Sequence, residues 1–193
     1  MKEFFKNIDY SLFELINQKG NLPWLNNFFM ALRNPIYLRW FYITLACFFI
    51  LKYRLKGLWL VMFLAATMGL SDLISSHFFK IYFMRLRPCM DARWVGKINL
   101  LVGCPHGYSF TSSHAANNMS VCFFMMMVFA PYFKNKKYLL LLFPCMVGFS
   151  QIYVGVHYPI DVTCGLLVGA ACGYFTSFLY KKYLPITQQL QFN

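Results

Sequence analysis

Residues 58–79, LWLVMFLAATMGLSDLISSHFF, run apolar for the depth of a bilayer and contain a single carboxylate, Asp72. A hydrocarbon core of about 30 Å takes roughly 20 such residues in a helix, so the stretch reads as a transmembrane span. On either side lie four more segments of the same character, residues 36–51, 111–133, 138–156 and 159–180. The first of them is short and holds Arg39, whose stem can snorkel to the head groups. The expected fold class is all-α, an integral-membrane helical bundle of about five transmembrane helices.

Composition agrees, since 59% of the chain is hydrophobic and 12% charged, a balance that a soluble domain of this length does not need. No linker, repeat or low-complexity tract divides it, and residues 1–193 read as a single domain. Within it, residues 1–35 are expected as interfacial helices, 36–182 as the bundle with a site loop over 80–110, and 183–193 as a tail. In the first 35 residues Phe4, Phe5, Ile8, Leu12, Phe13, Leu15 and Ile16 cluster at helical spacing among Lys2, Glu3, Lys6, Asp9, Glu14 and Lys19. That pattern suits a helix lying on the membrane, and Trp24, Phe28, Phe29 and Leu32 suit a second one from Pro23. A secretory signal peptide is not expected there.

The formal net charge is +12, which points to anionic head groups or an anionic substrate. Nucleic acid is not expected as a partner, because the cations punctuate apolar runs instead of covering a solvated face. One set of loops carries Lys52, Arg54, Lys56, Lys134, Lys136, Lys137, Lys181 and Lys182 and no acid, and is assigned to the cytoplasm. The opposite loops then face an oxidising compartment, where Cys89 and Cys104 are expected to form a disulfide. Cys47, Cys122, Cys145, Cys164 and Cys172 sit in spans as small hydrophobes.

Three polar clusters stand at span ends that the topology brings to one face: KIYFMRLRP (80–88), TSSHAANN (111–118) and SQIYVGVHYPID (150–161). Lys80 and Arg87 are seven residues apart, nearly one face of a helix, and can converge on one anion. Ser112 and Ser113 open a helix, where free N–H groups and the dipole favour an anion, and His114 beside them can move a proton. His157 and Asp161 are four apart, so the carboxylate can hold one ring nitrogen and leave the other as a nucleophile. Asp72 is expected to pair with a site cation. Asn117 and Asn118 read as hydrogen-bonding glue, and His77 and His106 as structural.

The set resembles the type 2 phosphatidic acid phosphatase family, whose pattern is KxxxxxxRP, then PSGH, then SRxxxxxHxxxD. The matching residues are Lys80, Arg87 and Pro88, then Ser112 and His114, then Ser150, His157 and Asp161. The resemblance implies a metal-independent lipid phosphatase without cofactors. His157 would attack phosphorus, Asp161 orient it, and His114 protonate the leaving oxygen, with Lys80, Arg87 and the 112–114 turn on the phosphate. It implies lipid A 1-phosphate, phosphatidylglycerophosphate or undecaprenyl pyrophosphate as substrate, in a bacterial inner membrane with the site on the periplasmic face. Thr111 and Ser113 replace the Pro and Gly of the second motif. Gln151 stands where the family has a phosphate-binding Arg, and Arg85 or another nearby cation is expected to compensate in part. The alternatives are a lipid transporter or flippase, or a weakened family member acting as a binding protein.

Overall fold

The computed structural model describes residues 2–183, so the expected tail falls outside them except for Tyr183. Among the described residues the chain is helical without strands. Its order is α1 (Lys2–Phe13), widened over Glu14–Lys19; α2 (Pro23–Leu32); α3 (Pro35–Tyr53); and α4 (Leu55–Asp72), running through a wide segment Leu73–Phe79 into α5 (Lys80–Phe83). After a loop come α6 (Ser113–Val128), α7 (Ala130–Phe133), a 3-10 stretch Lys134–Leu141, α8 (Leu142–Tyr153) and α9 (Pro159–Tyr183).

Three runs among the described residues are long and apolar enough to cross a membrane: α3, the run that begins with α4, and α9. Two of the expected spans are built differently. α8 has 12 residues, and the 3-10 stretch before it supplies the missing length, the two together reaching about 34 Å at their respective rises. Pro144 stands in the first turn of α8, where its missing N–H costs nothing. α6 has 16 residues and is the centre of the bundle, packed by α9, α4 and α8. Phe4, Trp40, Leu51, Leu73, Leu139 and Phe175 are among the large apolar side chains that face outward, as the belt of a membrane protein requires.

Small residues at four-residue intervals set the α6–α9 contact. A Cβ added to Gly165, Gly169 or Gly173 would lie 2.6, 2.2 or 2.4 Å from the backbone oxygen of Ser112, Ala116 or Ser120. With no aqueous hydrophobic effect between helices in lipid, such close backbone approach is what associates them. Gly169→Val is expected to lower folded-state stability on the order of 3 kcal/mol, read as thermal unfolding in detergent. Gly69→Ala, whose methyl meets nothing within 4 Å, should leave the midpoint unchanged or raise it.

α1 is tied to the bundle from its inner face. Asp9, Phe13 and Asn17, four residues apart, are fully buried, while Phe4, Phe5, Ile8, Leu12 and Leu15 stay exposed. Asn17 Nδ2 donates to the carbonyls of Asn99 (2.9 Å) and Tyr153 (2.8 Å), and Asn99 N–H returns a bond to Asn17 Oδ1 at 2.9 Å. The N-terminal helix thereby holds both the 80–110 loop and the end of α8.

Candidate active site

The α8–α9 connection carries His157, and its shape is written in local sequence. α8 ends in a Schellman motif: Gly155, at φ 87°, donates to Ile152 O (3.0 Å) and Val156 donates to Gln151 O (3.1 Å). Glycine takes this left-handed conformation without strain. His157 N–H also donates to Gln151 O, at 3.2 Å, and Pro159 then starts α9.

The His157 ring is buried and held at both nitrogens. Nδ1 is 3.6 Å from Asp161 Oδ2, too long for a hydrogen bond, and Ser109 Oγ bridges them. That hydroxyl donates to Asp161 Oδ2 and so accepts from Nδ1–H at 3.3 Å, which leaves the lone pair on Nε2. Arg87 Nη1 lies 2.9 Å from Nε2 and donates to Val156 O at 3.2 Å, while its Nε donates to Gly107 O at 3.1 Å. Burial above all, joined by the charges of Arg87 and Lys80, outweighs the opposing Asp161 carboxylate and lowers the His157 pKa to about 4, so the imidazole is neutral at neutral pH.

Asp161 is fully buried and fully used. Oδ1 accepts from Arg85 Nη1 (2.7 Å), and Oδ2 accepts from Ser109 and from Tyr158 N–H (2.9 Å). Arg85 continues to Asp9, which also accepts from Ile160 N–H at 2.8 Å, and its guanidinium carbon lies 4.2 Å from the Tyr158 ring centroid.

α6 begins at Ser113, with Ser112 as its N-cap, as the motif implies. Ser112 N–H donates to Asp161 O at 3.0 Å, joining the second motif to the third. The hydroxyls of Thr111 and Ser112 are buried with no hydrogen-bond partner among the described residues. His114 follows in the first turn, with Arg33, His157, Lys80 and Arg87 as the charged or titratable groups around it. Lys80 stands within reach of the charges of Arg87, Asp72 and Asp161. Cys89 and Cys104 are joined as a disulfide in the loop that carries Arg87.

Several expectations are corrected. Lys80 and Arg87 do not share a helix face: Met84, at φ 44°, ends the helix, and Arg87 is extended because Pro88 follows it. Arg85 does not face the phosphate site; two buried carboxylates, Asp9 and Asp161, engage it from behind. The Gln151 side chain is fully buried, with Oε1 taken by Arg33 Nε at 3.2 Å. Ser113 Oγ turns away to Ser76 Oγ (2.9 Å) and Ser75 Oγ (3.2 Å). Asp72 bonds Ser76 (3.2 Å) and Asn117 (3.0 Å) and makes no ion pair among the described residues. Ser109, Asp9 and Arg33 were not singled out in the sequence, because each meets its partner through a contact between segments far apart in the chain, with no local motif to mark it.

A buried His–Ser–Asp cluster between an arginine and a helix N-terminus, in an apolar bundle, defines the class as a membrane phosphatase. The PAP2 superfamily profile matches residues 56–184, and the chain belongs to that family. It is 29% identical over 188 residues to a lipid A 4'-phosphatase of Porphyromonas gingivalis, covering 94% of this chain and 75% of that one. A lipid A 4'-phosphatase of Bacteroides thetaiotaomicron is 26% identical over 202 residues, covering 99% and 84%. The crystal structure of Aquifex aeolicus LpxE superposes with a TM-score of 0.65 at 28% identity, covering 88% of this chain and 94% of that one.

Proposed function

We propose that this protein removes a phosphate from lipid A, at the 4' position, through a phosphohistidine on His157. The observation that carries the mechanism is the pair of bonds on His157: Nδ1 is held through Ser109 to Asp161, and Nε2 meets Arg87 at 2.9 Å. A phosphate oxygen that takes over the Arg87 N–H releases the Nε2 lone pair next to the bound phosphorus. Attack forms the N–P bond and breaks the P–O bond to the lipid, while His114 gives the leaving oxygen its proton. His114 then takes a proton from water, whose oxygen displaces His157 and yields inorganic phosphate. Arg87, Lys80, the Ser112 hydroxyl and the N–H groups opening α6 stabilise the equatorial oxygens, the main source of rate in phosphoryl transfer.

A lipid substrate is supported by an apolar cavity of about 530 Å³ that runs between α3, α4 and α6. Leu38, Ile43, Leu64 and Met68 line it, and Ser113 and His114 are among its polar lining residues. Acyl chains fit such a passage with the phosphate at its polar end. The names of the two relatives favour the 4'-phosphate over the 1-phosphate. The acid-free loops and the disulfide support an inner-membrane protein whose site faces the periplasm.

Phosphate release in detergent from lipid A bearing a phosphate at the 1 or the 4' position tests the assignment, with phosphatidylglycerophosphate and undecaprenyl pyrophosphate as competitors. The expected kcat/KM is highest for the 4'-phosphate. A preference of tenfold or more for either competitor would replace lipid A as the substrate while retaining the chemistry.

A further inference from the structure

Arg33 lies in the junction between α2 and α3, and local chemistry fixes where it stands. Its N–H donates to the carbonyls of Ala31 and Phe29 and closes α2. Asn34 is extended ahead of Pro35, and its side chain accepts from Ile36 N–H at 2.9 Å as the N-cap of α3. α2 itself is fastened to the end of α8: Tyr153 Oη donates at 2.9 Å to Asn26 Oδ1 and accepts from Leu22 N–H at 2.9 Å, and Phe29 lies 4.3 Å from the Tyr153 ring.

The half-buried guanidinium of Arg33 has no carboxylate partner among the described residues. Among the described residues its side chain makes one hydrogen bond, from Nε to Gln151 Oε1, which leaves both terminal NH₂ groups for another acceptor. Burial is costly for an unneutralised cation, so such a group is retained where an anion arrives to neutralise it. Arg87 is near enough to add its charge to burial in lowering the basicity of Arg33, and Arg33 is also among the charges around His114. The same Gln151 whose side chain holds Arg33 caps, with its main-chain carbonyl, the turn that presents His157. Arg85 is excluded from the role by its two carboxylates.

We propose that Arg33 is a phosphate-binding residue of this site, delivering from the α2–α3 junction the guanidinium that Gln151 cannot supply from α8. Gln151 then acts as its positioning residue, and Nε is held so that the two NH₂ groups meet the equatorial oxygens together with Arg87. The inference rests on the phosphatase reading above. It also makes an exchange of position workable: an arginine at 151 is longer than glutamine, so its guanidinium reaches the place beyond Oε1 where that of Arg33 now sits.

The test uses the full chain in detergent, with phosphate release from a lipid phosphate and inhibition by orthovanadate as readouts. Arg33→Gln, which retains hydrogen bonding to Gln151 but not the charge, is expected to lower kcat/KM on the order of 100-fold. It should also weaken orthovanadate inhibition about tenfold or more. Arg33→Gln combined with Gln151→Arg is expected to recover about tenfold or more of both. Wild-type-like kcat/KM in Arg33→Gln, an unchanged orthovanadate constant, or a double variant no better than the single one each overturns the proposal. Failure of the underlying reading has a separate signature: release by the wild-type protein that survives His157→Ala.

Discussion

His157→Ala is expected to reduce phosphate release by about 10⁴-fold or more, the scale on which loss of a covalent nucleophile is felt. Arg87 and the α6 N-terminus would still bind the phosphate, so KM should change far less than kcat. Acid-quenched wild-type protein given labelled lipid phosphate should retain an acid-labile, base-stable label that His157→Ala lacks. Equal labelling of the two would remove His157 from the chemistry. The same ring imposes a pH dependence on stability. Its folded value, about 4, lies below the unfolded value near 6.5, so between those limits the unfolded chain binds a proton that the folded one refuses. Stability should therefore fall as pH drops from about 6.5 towards 4. The fall should be shallower in His157→Gln, as read by thermal unfolding.

Arg85→Ala should cause the second large loss, of stability first and rate second. It leaves Asp9 and Asp161, both fully buried, without their shared cation. Removing one partner from a buried ion pair costs about 3–5 kcal/mol, because the remaining charge is neither paired nor solvated. With Asp161 no longer held from behind, Ser109 and His157 lose their register, and kcat should fall on the order of 100-fold. A thermal midpoint within a degree or two of wild type would show that the Asp9–Arg85–Asp161 link does not support the site.

Much of the architecture was legible because lipid imposes simple rules on sequence. Residues 58–79 and 159–180 read as spans from length and apolarity alone, and the structure places α4 with its continuation and α9 there. The start of α9 at Pro159 was local information too, whereas the span over 138–156 ran past the helix end at Tyr153 that Gly155 closes. α8 was less legible, because hydropathy does not distinguish a 3-10 stretch from an α-helix. The Gly165, Gly169 and Gly173 series was present in the chain, but its meaning depended on the Ser112, Ala116 and Ser120 backbone opposite it.

The polar wiring divides in the same way. Motif spacing placed Lys80, Arg87, Ser112, His114, His157 and Asp161 at one end of the bundle, since span ends alternate between two faces. Spacing could not tell which cation faces the phosphate and which backs the carboxylate. Arg85 and Arg87 are two residues apart, yet one meets Asp9 and Asp161 and the other meets His157 Nε2. The helix stops at Met84 in a left-handed conformation and the irregular chain beyond it becomes extended at Arg87 ahead of Pro88, so the two side chains escape the period-2 register that would put both on one face. By itself, then, the sequence determined a membrane bundle with a phosphatase motif at one end, because bilayer thickness and helix pitch act through neighbouring residues. Tertiary structure alone decided that Ser109 joins His157 to Asp161, that α1 reaches the site through Asp9, and that Arg33 lies against Gln151. Those contacts span more than 45 positions of chain, and only packing brings them within hydrogen-bond distance.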